Sequence, residues 1–119
     1  MAHRHHSLAL AFLLISFAAC NRIPPRKSDA ELELNAQQSA GRATFDTFCH
    51  RCHEPYSYYA KNGPSLVSVL KKPYFSSGIP ANDERLTELI QHGRSHMPAF
   101  GDKLYDAQIA DLMAYLHTL

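Results

Sequence analysis

Cys49 and Cys52 are separated by two residues, and His53 follows the second cysteine directly. Two thiols at this spacing can add across the two vinyl groups on one edge of a porphyrin ring. The next residue along the chain is then brought to the iron, for which imidazole is a standard axial ligand. The pattern predicts that one haem c is attached covalently through Cys49 and Cys52, with His53 bound to its iron.

Two other kinds of chemistry use a Cys-x-x-Cys pair. A redox disulfide of the thioredoxin kind normally opens a helix after a strand, and no strand-like alternation precedes Cys49. A zinc site needs further ligands; a cysteine and histidine set at finger-like spacing is absent, although His92 and His96 could complete four ligands. The histidine after Cys52 favours haem, and a haem-free thiol or zinc protein remains the alternative.

An iron that carries electrons needs a second axial ligand on the opposite face, usually methionine or histidine. Met1 belongs to a predicted export signal, and Met113 lies in the apolar stripe of the last predicted helix, where packing explains it. Met97 lies in a stretch with glycine and proline but no helical period, which indicates a loop. Met97 is therefore the predicted ligand, and His92 and His96 are the competing candidates.

Helical periodicity is present in several segments, and no segment indicates a sheet. Helices are predicted from about Ala36 to Cys49 and from Asp83 to His92, with a shorter helical turn over Ser65–Leu70. The last helix has an apolar stripe at helical spacing, formed by Ile109, Leu112, Met113 and Leu116. The fold class is therefore all-α, with three to four helices and loops around one haem.

The N-terminal part of the chain is predicted to lie outside the folded domain. Residues 1–19 have the basic start and apolar run of an export signal, and the run is too short to span a membrane. Residues 20–35 contain two prolines and several charges, which is typical of a flexible tether. The domain itself is expected over residues 36–119.

Cys20 stands apart from the pair, at the end of the apolar run. The stretch Phe17-Ala18-Ala19-Cys20 resembles the lipobox of bacterial lipoproteins, although leucine is usual where this chain has Phe17. In such proteins the signal is cut just before the cysteine, which then carries the lipid. Acyl chains on Cys20 would hold the domain at a membrane surface, at ~0.8 kcal/mol per buried methylene. The alternative is cleavage nearby and a soluble periplasmic protein.

The charge balance argues against nucleic acid as a partner. When the signal and its Arg4 are removed, eleven basic residues remain against eleven acidic ones. A nucleic-acid-binding domain needs a clustered basic footprint, which a near-zero net charge does not indicate.

The predicted domain resembles the class I cytochromes c over nearly all of its length. In that family a glycine, an aromatic residue four places on and Cys-x-x-Cys-His occur in this order, as Gly41, Phe45 and the motif do here. The resemblance implies that the first and last helices cross closely at Gly41, where Tyr115 supplies the aromatic side chain of the last helix. A glycine within a helix, unfavourable by ~1 kcal/mol relative to alanine, would then have a packing role.

The resemblance also extends to the loops. Asn62-Gly63-Pro64-Ser65-Leu66 is similar to a Gly-Pro-x-Leu segment of the family, which implies that the Pro64 carbonyl accepts the second N–H of His53. The approach to the methionine ligand in the family is matched by Ile90, Gly93, Met97, Pro98 and Phe100.

The function implied is one-electron transfer between a redox donor protein and an acceptor protein at the periplasmic face of a bacterial membrane. A non-enzymatic carrier of this kind could be free or could be a subunit of a larger oxidoreductase. If Met97 does not bind iron, an open-site haem sensor or peroxidase is the alternative.

Overall fold

A computed structural model describes residues 25–119, so the predicted export signal and Cys20 lie outside the described residues. It contains three helices: α1 (Ala36–Phe48), α2 (Asp83–His92) and α3 (Asp106–Leu116). This part of the chain forms no strand, which confirms the all-α prediction. None of the helices after residue 24 has the length and apolar content that a bilayer crossing requires.

The helix ends are set by local hydrogen bonds. At the start of α1, the Asn35 side chain accepts from the Gln38 backbone N–H at 2.9 Å, and the Gln38 side chain accepts from the Asn35 N–H at 3.0 Å. This capping box satisfies two N–H groups that have no partner within the helix. At the end of α2, Gly93 has φ 67° and stops the helix at the predicted position.

The predicted helical turn over Ser65–Leu70 is wrong. The backbone forms turns instead, in which the Val69 N–H donates to the Leu66 carbonyl at 3.0 Å. Ser68 has φ 55°, a left-handed conformation that a right-handed helix cannot contain. Its N–H donates to the Leu119 carbonyl at 3.1 Å, which ties the segment to the chain beyond α3.

The crossing of α1 and α3 depends on Gly41. A Cβ at this position would lie 1.8 Å from the Asp111 carbonyl oxygen and 2.9 Å from Cβ of Tyr115. The two backbones therefore approach more closely than any side chain allows, as the resemblance implied. One turn along, the rings of Phe45 and Tyr115 pack with centroids 5.4 Å apart, and both side chains are fully buried.

The hydrophobic core extends from this crossing to α2 and the loops around it. Its buried members are Phe45, Val69, Leu86, Ile90, Phe100, Leu104, Ile109, Leu112, Met113, Tyr115, Leu116 and Leu119. The presence of Met113 in this set confirms that packing explains this methionine.

Before α1, residues 26–34 turn back along the helix, where Arg26 pairs with Asp46 and Asp29 pairs with Arg42. This part of the predicted tether is thus in contact with the domain.

Replacing Gly41 with alanine should destabilise the domain by about 2–4 kcal/mol, because the clash with α3 outweighs the ~1 kcal/mol gain in helix propensity. Denaturant unfolding of the haem-loaded protein, followed by far-UV circular dichroism, measures this loss. Gly78→Ala is the control: nothing lies within 4 Å of its Cβ and only its φ of 79° is strained, so it should lose about 1 kcal/mol. Equal losses in the two variants would contradict the close crossing.

Candidate functional site

The cysteine pair lies on a tight turn at the end of α1. The Cys49 N–H still donates to the Phe45 carbonyl at 2.8 Å, and the Cys52 and His53 N–H groups both donate to the Cys49 carbonyl, at 3.0 and 2.9 Å. Cys49 and Cys52 are free thiols, and both are half-buried. The turn therefore presents two thiols and one imidazole within five residues, held by the last hydrogen bonds of the helix.

The protonation of Cys49 argues against a redox-active thiol. Burial, with a smaller contribution from the neighbouring Cys52, raises the pKa of the Cys49 thiol to about 11. Reactive cysteines in disulfide oxidoreductases have lowered pKa values, because the thiolate is the nucleophile. The environment of Cys49 has the opposite effect, so the thioredoxin-like alternative loses support.

His53 is oriented by a backbone carbonyl. Its Nδ1 lies 2.8 Å from the carbonyl oxygen of Pro64, the contact that the family resemblance implied. A carbonyl can only accept, so Nδ1 carries the proton and donates it, and Nε2 is left with a free lone pair. This tautomer is the one that a metal-binding imidazole needs when Nε2 is the ligand atom.

Gly63 makes room for the His53 ring. A Cβ at this position would lie 2.5 Å from Cε1 of His53, 2.9 Å from Nδ1 and 3.0 Å from Nε2. The Gly63 N–H also donates to the Cys52 carbonyl at 2.8 Å, which fastens the loop to the motif. In the sequence, Gly63 was noted only as the neighbour of Pro64 in the Gly-Pro-x-Leu segment. The absence of a side chain at that position is the feature that could have indicated space for the His53 ring.

An ion pair with a buried carboxylate lies next to the motif. Glu54 has 5% of its surface exposed, and Nζ of Lys61 lies 3.2 Å from its carboxylate. The same ammonium group donates to the His50 carbonyl at 2.9 Å. Burial, and next the nearby Lys61 charge, lower the pKa of the half-buried His50. Sequence reasoning missed Glu54 and Lys61, since neither residue belongs to a motif.

Met97 is held by a separate, tightly turned loop. The N–H and carbonyl groups of Arg94 and Met97 exchange hydrogen bonds of 3.0 and 2.9 Å, and Ser95 between them has φ 53°. Met97 is half-buried against the core, whereas the competing candidates His92 and His96 are exposed. The difference in exposure favours Met97 as the ligand that faces the interior.

An aromatic contact joins the two loops. The ring of Phe48, which precedes Cys49, packs edge-on against Phe100, three residues after Met97, with centroids 6.0 Å apart. Phe100 is in turn bound to α2, since its N–H donates to the Ile90 carbonyl at 2.9 Å. The cysteine turn and the methionine loop therefore pack on one core.

The donor set fits a haem better than a zinc ion. Across residues 25–119, no group of three or more His, Cys, Asp or Glu side chains could hold a metal ion, so His92 and His96 do not join the cysteine pair. Two thiols beside an imidazole with a free Nε2, and a thioether on another loop of the same core, are the groups that attach and ligate a haem c. The space that Gly63 leaves at the His53 ring agrees with this fit.

Comparison with known proteins points the same way. Residues 36–116 match the family described as cytochrome c oxidase, cbb3-type, subunit III. The chain is 30% identical over 84 residues to a cytochrome c6 of Picosynechococcus sp., covering 68% of this chain and 72% of the relative. It is 27% identical over 112 residues to a cytochrome c6 of Gracilaria tenuistipitata var. liui, covering 92% and 91%. A cytochrome c6-like protein of Nostoc sp. is 26% identical over 109 residues, covering 92% and 88%.

Replacing Gly63 with alanine should push the His53 ring away from the Pro64 carbonyl while leaving Cys49 and Cys52 able to attach haem. We expect covalent haem in denaturing gels at the parent level, but a visible spectrum with weakened proximal ligation and a midpoint potential altered by tens of millivolts, on the order of a tenth of the range that ligation spans. Gly78→Ala is the matched control, because its Cβ meets open space. A parent-like spectrum and potential in the Gly63 variant would contradict the crowding.

Proposed function

The chain belongs to the small c-type cytochromes, and on that premise we propose that it carries single electrons through one haem c ligated by His53 and Met97. The observation that supports this most directly is the 2.8 Å contact between His53 Nδ1 and the Pro64 carbonyl, which leaves Nε2 free as a ligand. The bound haem supplies an iron that takes up and releases one electron.

Each residue of the site has a distinct part in this proposal. Cys49 and Cys52 hold the ring through their sulfur atoms, so the cofactor cannot dissociate. Pro64 keeps the His53 imidazole in one tautomer and one orientation, which limits reorganisation when the charge on the iron changes. Met97 offers a neutral thioether, which favours ferrous iron and so raises the potential relative to two imidazoles.

Apolar side chains contribute to the core on which the site is built. Several half-buried apolar side chains pack against the same core as Cys49 and Met97: Phe48, Leu66, Leu70 and Phe75. An apolar shell around a redox centre controls solvent access and the local dielectric, and with them the potential. A carrier in which His53 and Met97 fill both axial positions performs no substrate chemistry. Its proposed partners are a redox donor protein and an acceptor protein.

A second candidate function is that of a subunit in a larger oxidoreductase. It is favoured by the matched family, whose description names a subunit of an oxidase. The same haem and ligands would then pass electrons within a complex. Native gels of mild detergent extracts, stained for haem, distinguish a free carrier from a subunit. A free carrier migrates near its own mass of 13.4 kDa or less, whereas a subunit migrates with its complex.

The proposed location is the periplasmic face of a bacterial membrane, with a lipid on Cys20. Support comes from the apolar run over residues 7–19 and from the two alanines before Cys20.

Replacing Met97 with alanine should remove the thioether from the iron. We expect loss of the weak ferric absorption band at the red end of the visible spectrum, binding of added imidazole or carbon monoxide, and a midpoint potential lower by the order of 100 mV within the ~0.8 V range set by axial ligands. Spectroscopic redox titration measures the band and the potential, and titration with imidazole or carbon monoxide measures the ligand binding.

Met113→Leu is the control for the Met97 variant, because Met113 is buried in the core and a similar volume is retained. It should keep the ferric band and the potential of the parent protein. A parent protein that lacks the band and already binds carbon monoxide would instead support the open-site sensor or peroxidase.

Replacing Cys20 with serine should release the protein from membranes. In a bacterial host with cytochrome maturation machinery, we expect the parent to partition into detergent and to carry an acyl mass at its N-terminus. The variant should be found in the soluble periplasmic fraction with the same haem content, because Cys20 is not part of the attachment motif. A parent that is already soluble and lacks the acyl mass would favour ordinary signal cleavage.

A further inference from the structure

Residues 26–34 form an arm that lies antiparallel to α1. Arg26 at one end of the arm pairs with Asp46 near the end of the helix. Three residues later, Asp29 pairs with Arg42, one turn earlier in the helix, at 2.5 Å. Because later residues of the arm meet earlier residues of α1, the N-terminal end of the arm lies beside the C-terminal end of the helix.

The arm supplies the partners of a buried charge. Arg42 has only 5% of its surface exposed, and its guanidinium group donates to the Asp29 carboxylate and to the Lys27 carbonyl. A buried guanidinium without such partners is strongly destabilising. The arm also has internal order, since the Leu32 and Leu34 N–H groups donate to the carbonyls of Ser28 and Asp29, both at 3.1 Å.

The docked arm decides where the preceding chain leaves the domain. Asp46, the partner of Arg26, lies three residues before Cys49, so the chain leaves beside the haem-attachment turn. If the arm were released, the chain would leave at Asn35, at the other end of α1. The thirteen residues of this helix separate the two exit points by about 20 Å.

We propose that the docked arm, here called the clasp, orients the domain so that a lipid on Cys20 holds the haem-attachment end close to the membrane. This inference rests on the lipid anchor of the proposed function. Five residues lie between Cys20 and Arg26, so the six steps from one to the other span at most ~20 Å of extended chain. From Cys20 to Asn35 the limit is ~50 Å, so the clasp sets both the reach of the tether and the end of the domain that faces the bilayer.

The charge of the exit segment is complementary to an anionic lipid surface. Between Cys20 and Asp29 the chain has the basic residues Arg22, Arg26 and Lys27 and no acidic residue. Arg51, between the two cysteines of the motif, is exposed at the same end of α1. Basic residues next to a lipid anchor are attracted to anionic headgroups within about a Debye length.

The docking of the arm is tested in the soluble haem-loaded Cys20→Ser protein by amide hydrogen exchange. Asp29→Asn with Asp46→Asn removes both ion pairs through side chains that are partly exposed. We expect the Leu32 and Leu34 amides to exchange about tenfold faster, with the amides of α3 unchanged. Arg85→Gln, which breaks the exposed pair with Glu88, is the control and should leave the arm as it is. Unprotected arm amides in the parent would overturn the clasp.

The orientation is tested with the full lipid-bearing chain in vesicles that contain anionic lipid and a fluorescent headgroup. Haem close to the bilayer quenches the fluorophore. The double variant should therefore show at most about half of the quenching of the parent, and Arg85→Gln should match the parent. Equal quenching by parent and double variant, with the acyl mass confirmed, would overturn this proposal alone. Absence of the acyl mass would overturn the anchor and this proposal together.

Discussion

The close approach of α1 and α3 at Gly41 is the constraint on which the rest of the structure depends. With a Cβ 1.8 Å from the Asp111 carbonyl, any larger residue would separate the two helices. The crossing buries Tyr115, whose hydroxyl lies 2.6 Å from the hydroxyl of Tyr56 in the loop after the motif. Burial, followed by this hydrogen bond, raises the pKa of Tyr115, so the hydroxyl stays neutral and the pair is satisfied without water. The motif turn is therefore held by α1 before it and by the Tyr56 contact after it.

A domain of this size has a small core, and its cofactor is expected to complete it. The two loops that carry the proposed ligands His53 and Met97 contain almost no regular structure, yet each is anchored by backbone hydrogen bonds. Gly63 is bound to the Cys52 carbonyl, and Phe100 is bound to the Ile90 carbonyl in α2. The contact between Phe48 and Phe100 then joins one loop to the other. The position of Met97 relative to the cysteine turn thus depends on packing between distant parts of the chain.

Sequence patterns predicted what local rules determine. The limits of α2, the stop at Gly93 and the packing of Met113 follow from periodicity and capping, and the structure confirms them. The turn at Ser68 was not predictable, because its positive φ is stabilised by a hydrogen bond to Leu119, fifty-one residues away. The burial of Glu54 and the docking of the arm were missed for a similar reason. Composition assigns charged residues to the surface. Glu54 and Arg42 are stable inside the protein only because the fold brings the partners Lys61 and Asp29 to them.

The charged groups around the motif bear on how the site handles a change of charge. Glu54 and Lys61 neutralise each other at 3.2 Å, and the lowered pKa of His50 favours its neutral form near pH 7. The ion pair therefore places a compact dipole beside the motif, with its ammonium group fixed by the hydrogen bond to the His50 carbonyl. The hydrogen bond from His53 to the Pro64 carbonyl likewise needs no rearrangement. Electron transfer is fastest when few atoms around the redox site have to move. A site held by backbone carbonyls and a closed ion pair meets that requirement, although its proposed ligands lie on loops.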